Sequence, residues 1–303
     1  MTTTAQDATE ARKSPLQLLI RTMRIRQWTK NVFVLSPLLF SKHLFDYHIV
    51  LHAISGFFLF SMIASAIYVL NDIVDARIDR QHPVKRLRPI ASGALSTRFA
   101  MSAVAFLVPV TLLLAWLVHS GFAIVLAVYF VLNVVYSYAL KKAVIIDVMT
   151  IAASFVLRIV AGAVIIDVPI SEWLLICTSL LALFLGFSKR RHEITILEKD
   201  AHVHRPVLME YSTYFLDQMI SLVTASTLIC YILYTVAPET VDKFGKGLLF
   251  TAPFVLYGLF RYYYLVHQKN TGGDPTTEFL TDKALLGNVA LWAVTVIVII
   301  YMT

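Results

Sequence analysis

Residues 48–79 read HIVLHAISGFFLFSMIASAIYVLNDIVDARID. Up to Leu70 this stretch contains no Asp, Glu, Lys or Arg. A helix crosses a bilayer with about 20 mostly apolar residues, within a range of about 17–25, so residues 48–70 read as a membrane span. The next residues, Asn71 to Asp79, follow the pattern N-D-x-x-D-x-x-x-D. If the helix continues, each residue turns by about 100°, which puts Asp75 at about 40° from Asn71, Tyr68 at about 60°, Asp79 at about 80° and Asp72 at about 100°. One stripe at the end of a span then carries a carboxamide and three carboxylates. Such oxygens suit a hard cation, and magnesium usually keeps waters and substrate phosphates among its ligands. A metal-bridged diphosphate is the natural occupant; the alternative is a solvated, acidic helix end.

The rest of the chain agrees with a lipid setting. Of its 303 residues, 58% are hydrophobic and only 15% charged, and the mean hydropathy is +0.73. Soluble domains carry roughly 45–50% apolar and 25% charged residues. Nine runs qualify as spans: 28–44, 48–70, 98–118, 122–140, 144–166, 171–188, 217–236, 247–267 and 284–302. The fold class is therefore an all-α integral membrane protein of about nine transmembrane helices. The organisation expected is a tail at 1–27, with a short interfacial helix where Leu16, Leu19, Ile20 and Met23 share a face, followed by one membrane domain at 28–303. The first 15 residues are polar and lack the apolar core of a signal peptide.

The net charge of +7 would suggest nucleic acid in a soluble chain, but in a membrane protein its placement decides, and no nucleic-acid partner is expected. With the N-terminus inside, 22 of the 26 Lys and Arg residues fall on that side, Lys42, Lys243 and Lys246 on the other, and Arg158 within a span. The positive-inside rule then gives a multi-pass protein of the plasma membrane, its N-terminus and its three long polar segments (71–97, 189–216, 268–283) cytoplasmic. The pair Cys177 and Cys230 reads as packing.

Further polar residues gather at the same level. Lys85, Arg86 and Arg88 lie between Pro83 and Pro89 and serve either as charge balance and surface anchors or as phosphate ligands. Arg26, Gln27, Lys30 and Asn31 open the first span, where Lys30 and Asn31 sit a turn into the apolar run and are expected to face a polar cavity. Tyr129, Asn133 and Tyr136 form a polar stripe, followed by Lys141 and Lys142. Asp147 opens the next span and either binds a second metal or holds Lys142. Arg158 lies about 20° from it and either makes an ion pair or reaches an anion. Lys189, Arg190 and Arg191, with Glu193, end the sixth run and combine topogenic charge with possible binding of an anionic lipid head group. His192, His202 and His204 lack zinc-site spacing. Residues 272–283, with Asp274, Glu278, Asp282 and Lys283, read as a loop. No phosphate-binding Walker loop, dinucleotide fingerprint or nucleophile elbow is present.

The string at 71–79 resembles the first aspartate-rich motif of the UbiA prenyltransferase superfamily. The similarity extends over roughly residues 16–302. Within that superfamily, RIRQWTKN at 24–31, NDIVDARIDRQHPVKRLRPIASG at 71–93 and the segment from Tyr136 through Arg158 look like the decaprenyl-phosphate phosphoribosyltransferase branch. The resemblance implies a UbiA-like helical bundle around a cavity open to the cytoplasm. It implies transfer of a phosphoribosyl group from 5-phosphoribosyl diphosphate (PRPP) to decaprenyl or another polyprenyl phosphate, with Mg2+ required, toward cell-wall arabinan. It also implies a homo-oligomer, a trimer being one form. Carried over, Asn71 and Asp75 would be metal ligands, with Asp72 and Asp79 supporting and Asp147 as a further catalytic acid. Lys30, Tyr68, Lys85, Tyr136, Lys142 and Arg158 would contact PRPP, and Lys189, Arg190 and Arg191 the lipid phosphate or the 5-phosphate; Arg26, Gln27, Asn31, Arg88 and Lys141 complete the expected substrate site. Prenyl-transferring members show a second D-x-x-x-D, whereas here Asp147 is followed at i+4 by Ile151. Prenyl transfer from a diphosphate to an aromatic acceptor is the alternative activity, and solute transport a more distant one.

Overall fold

The computed structural model describes residues 14–82, 84–197, 206–269 and 275–302. The expectations for residues 1–13, Pro83, His202, His204 and Asp274 lie outside them. Every regular element among the described residues is helical. Ser14 caps α1 (Pro15–Thr22) in a capping box with Gln17. One side of α1 (Leu18 and Leu19, with Met23 just beyond its end) packs on the bundle, while Leu16 and Ile20 are exposed. This matches an amphipathic helix lying at an interface.

After α2 (Ser36–Phe40) comes α3 (Tyr47–Asp79), a single helix of 33 residues. Asp46 caps it, its carboxylate accepting from the His48 and Ile49 amides. Then follow α4 (Thr97–Val118), α5 (Ser120–Tyr138), α6 (Ile146–Ile165), α7 (Glu172–Leu197), α8 (Thr213–Val236), α9 (Pro238–Phe244), α10 (Ala252–Gln268), α11 (Pro275–Thr281) and α12 (Lys283–Met302).

Seven helices among the described residues are long and apolar enough to cross a membrane: α3, α4, α5, α6, α7, α8 and α12. Two of the nine expected runs are not among these seven. The run 28–44 is not one α-helix but a 3-10 helix, Ile25–Leu35, continued by the five residues of α2. The run 247–267 is split between a 3-10 turn at Lys246–Thr251 and the 17 residues of α10. Pro37 and Pro253 stand at these junctions and remove backbone donors. The loop expected at 272–283 contains α11 instead.

Two apolar cores meet along α6. One joins Val34 and Leu38 to Phe60, Ile63 and Ile67 of α3, Phe122 and Leu126 of α5, and Ala161 and Ile165 of α6. The other joins Val148 of α6 to Phe184 and Phe187 of α7, Leu216 and Ile220 of α8, and Leu259 and Tyr262 of α10. The 3-10 helix is seated by backbone contact. A Cβ built on Gly162 of α6 would lie 1.9 Å from the Val34 carbonyl oxygen, so only glycine lets the two backbones approach this closely.

Side chains pin the same segment. The Asn31 amide donates to Ser61 Oγ at 3.0 Å and the Trp28 indole to Ser65 Oγ at 2.9 Å. Arg158 closes the network. Its Nε donates to Asn31 Oδ1 at 2.9 Å, one terminal nitrogen to the Ser154 carbonyl at 2.7 Å, and the other to the Tyr129 hydroxyl at 2.9 Å. The rings of Phe60, Tyr129 and Phe155 lie 5.0–5.2 Å from its guanidinium carbon. Two expectations are corrected here. Asn31 does not face a polar cavity, since it is buried with both amide atoms bonded. Arg158 makes neither an ion pair nor an open anion site; neutral acceptors and aromatic faces satisfy it, which is how a buried guanidinium becomes tolerable. Arg158→Met is expected to cost about 1–3 kcal/mol through the stranded Asn31 and Tyr129 oxygens, read as a lower thermal midpoint in detergent.

Candidate active site

The last two turns of α3 carry the acids along two lines instead of one stripe. Asn71 and Asp75, one turn apart, face the end of α5. Ser137 donates to Asn71 Oδ1, and Lys141 Nζ lies 2.5 Å from Asp75 Oδ1. Asp72 and Asp79, two turns apart, face the other way and are buried. Arg24 pairs with Asp72, and Arg88 bridges Asp72 at 3.1 Å and Asp79 at 2.6 Å. The angular gap of roughly 60° between the two lines suffices to send them to different neighbours. Asp72 and Asp79 thus form an ion-pair ladder with Arg24 and Arg88. Arg88, expected at a phosphate, is the rung between them.

Arg24 sits above the Tyr68 ring at 5.2 Å and adopts a left-handed backbone, φ 52°. Lys85 begins a 3-10 turn, Lys85–Leu87, and is half-buried, while Arg86 is exposed.

A second polar group gathers around α7. The helix runs past its expected end at 188 to Leu197, so Lys189, Arg190 and Arg191 point about 100° apart and do not act as one cluster. Lys189 lies within electrostatic reach of Lys30, Arg190, Glu193 and Tyr136. Arg190 is 1% exposed; it donates to Asp147 Oδ2 at 2.7 Å, to Glu193 Oε2 at 2.5 Å and to the Tyr136 hydroxyl at 3.4 Å. Arg191 turns away to Asp217 at 2.5 Å, which His267 Nε2 also reaches at 3.1 Å.

Asp147 is fully buried, with one oxygen taken by Arg190 and the other by the Tyr211 hydroxyl at 2.8 Å. It therefore holds Arg190 instead of Lys142, and both of its oxygens are engaged within the protein. Arg26 and Lys142 are exposed and Gln27 half-buried.

The structure thus brings together Asn71, Asp75 and Lys141 on one wall, and Lys30, Tyr136, Lys189 and Arg190 on another. Sequence reasoning missed Arg24, Ser137, Tyr211, Asp217 and His267. A signal existed for one of them, since Ser137 extends the Tyr129–Asn133 stripe by one more turn.

Among the described residues no three His, Cys, Asp or Glu side chains converge on one point. An all-protein metal cage is therefore absent there. The donor set fits magnesium in its more usual form, in which one or two protein oxygens leave most positions to water and phosphate. Asn71 Oδ1 and the carboxylate of Asp75, whose side chain is 31% exposed, are the oxygens that could serve.

The family model described as the UbiA prenyltransferase family matches residues 32–281. The decaprenyl-phosphate phosphoribosyltransferase of Mycolicibacterium smegmatis is 32% identical over 80% of this chain and 77% of its own length. The enzyme of that name from Mycobacterium tuberculosis H37Rv is 30% identical over 92% of each chain. Among solved structures, a UbiA homolog from Archaeoglobus fulgidus bound to DMAPP and Mg2+ superposes with a TM-score of 0.70 at 16% identity, covering 94% of this chain and 99% of its own. A structure of digeranylgeranylglyceryl phosphate synthase superposes with a TM-score of 0.66 at 17% identity, covering 96% and 100%. The two structural likenesses speak to the fold alone.

Proposed function

This chain belongs to the UbiA prenyltransferase family, and from that premise we propose that it transfers the 5-phosphoribosyl group of PRPP to decaprenyl phosphate, releasing diphosphate. It is a multi-pass membrane transferase. The product is a polyprenylphosphoryl-phosphoribose, a precursor for cell-wall arabinan. One observation carries the choice of donor. Where a second acid pair would help ionise a prenyl diphosphate, Ile151 stands and Asp147 is committed to Arg190 and Tyr211. What remains around Asn71 and Asp75 is a surplus of cations, which suits a donor bearing a 5-phosphate besides its diphosphate.

In this reading Asn71 and Asp75 would hold Mg2+ beside the diphosphate end of PRPP. Bound magnesium offsets charge on a departing diphosphate. Lys141 stands beside Asp75 and contributes a second positive charge at that end. Lys30, Tyr68, Lys85, Tyr136 and Lys142 approach the ribose and its 5-phosphate. Lys189 faces the attacking lipid phosphate, while Arg190, held by Asp147 and Glu193, steadies the Tyr136 hydroxyl beside the ribose. The bond from ribose C1 to the diphosphate oxygen lengthens first, giving an oxocarbenium-like centre as in other glycosyl transfers. The lipid phosphate oxygen then bonds to C1. That phosphate is already an anion at neutral pH, so no histidine base is required. Positioning and preorganised charge supply the acceleration. The positive-inside charge bias supports a site and an N-terminus on the cytoplasmic side of the plasma membrane.

Membranes containing the protein, given radiolabelled PRPP and decaprenyl phosphate, should yield a labelled lipid together with free diphosphate. Label moved only from a prenyl diphosphate to an aromatic acceptor would overturn the assignment.

A further inference from the structure

The turn that carries Lys141 and Lys142 is joined to α6 through an unusual backbone. Ile145 has φ 67° and ψ −44°. The Ile146 amide donates to the Val144 carbonyl at 2.7 Å, which closes a three-residue γ-turn on Ile145. The positive-φ form of this turn is rare and strained, and for a β-branched residue it is a true outlier. Such conformations persist only where the surroundings over-determine them, and they gather at functional sites.

The group that holds this one is Tyr211, 66 residues further along the chain. Its hydroxyl accepts the Ile145 amide hydrogen at 2.6 Å and donates to Asp147 Oδ1 at 2.8 Å. Tyr211 is itself 5% exposed and stacks on Phe215, with ring centroids 6.0 Å apart. Burial, with the hydrogen bond to Asp147 as a smaller cause on the same side, pushes its hydroxyl up to about 12, so it stays protonated and able to donate. The acid it orients grips Arg190 with its second oxygen. One oxygen atom therefore touches the supports of both cationic walls.

We propose that Tyr211 is a positioning residue that locks the Lys141–Lys142 turn, through the γ-turn at Ile145, and Arg190, through Asp147, in a single register. Arriving from the segment after α7, it makes the spacing between the two walls depend on where that segment is seated. The proposal rests on the phosphoribosyl-transfer reading for the identity of the substrate, but not for the geometry.

The test uses the full chain in lipid nanodiscs, with Tyr211→Phe, Ile145→Gly and the double variant. Two quantities are measured: the KM and kcat for PRPP, and the affinity for magnesium diphosphate by calorimetry. Tyr211→Phe should raise the KM for PRPP about tenfold, the size expected when a hydrogen bond to a charged group is lost, with kcat largely kept and the thermal midpoint lowered because the buried Asp147 oxygen and the Ile145 amide lose their partner. It should also weaken magnesium diphosphate binding. Glycine adopts positive φ without strain, so in the Ile145→Gly background the turn needs no clamp. There Tyr211→Phe should leave diphosphate affinity unchanged while still raising the KM through Arg190. Parent kinetics in Tyr211→Phe would overturn the proposal. So would an equal loss of diphosphate affinity in both backgrounds. A parent protein that binds magnesium diphosphate yet turns over no PRPP would instead remove the functional reading and leave the binding half of this test standing.

Discussion

Asp75→Ala should abolish turnover while the bundle stays folded. Asp75 is partly exposed, and its one described partner is Lys141. Truncation leaves the Lys141 amine, whose side chain is 19% exposed, without its carboxylate, but the apolar cores lie elsewhere. What is lost is the carboxylate proposed to meet magnesium and the leaving diphosphate. Removing one preorganised electrostatic group commonly costs about 10²–10³ in rate, and losing a metal ligand should reach at least that range. Magnesium-dependent PRPP binding should disappear, with the thermal midpoint within a few degrees of the parent. Full activity in this variant would end the assignment of the α3 terminus as the diphosphate site.

Gly162→Ala should be the most damaging single methyl addition. The new Cβ would need space now held by the Val34 carbonyl oxygen and carbon, at 1.9 and 2.8 Å. Neither is the free end of a side chain, so the 3-10 helix must move as a body. Overpacking of this kind costs typically 1–3 kcal/mol, occasionally more; here the upper part of that range is expected. Lys30 and Asn31 ride on the displaced segment, and Asn31 is tied to Arg158 and Ser61. Activity should therefore fall further than stability alone explains. A variant with parental melting and parental kinetics would mean that this contact seats nothing.

Most of the fold was legible because its determinants are local. Unbroken apolar length set the seven long helices, and the proximity of Asn71 to Asp75 followed from helical pitch. Four things were not legible, each for a nameable reason. The run 28–44 looked like a span by hydropathy, but its backbone conformation is set by Gly162, more than a hundred residues away. The acids of 71–79 looked like one stripe because the angles alone do not say which neighbours arrive; Arg24 and Arg88 claim one line and Lys141 the other. Arg158 within a span suggested an ion pair or an anion ligand, and Asp147 a metal acid or a holder of Lys142. Each instead found partners on other helices, Asn31 and Tyr129 for the first, Arg190 and Tyr211 for the second. The segments 189–191 and 24–31 misled for a related cause: charge density in sequence does not distinguish a converging cluster from three directions of one helix.

The length of α3 has a consequence for where the two substrates meet. Its 33 residues make a rod of roughly 50 Å at about 1.5 Å per residue, against a hydrocarbon layer of about 30 Å. Even tilted, such a rod must protrude, and its protruding tip bears the carboxylates. The height of the chemistry above the greasy interior is thus ruled off by a single helix, as by a gauge rod. A long-tailed acceptor floats with its phosphate at that height by its own amphiphilicity, and so the protein need not drag it out of the lipid. The work left to the protein is to bring a freely diffusing, multiply charged sugar down to meet it.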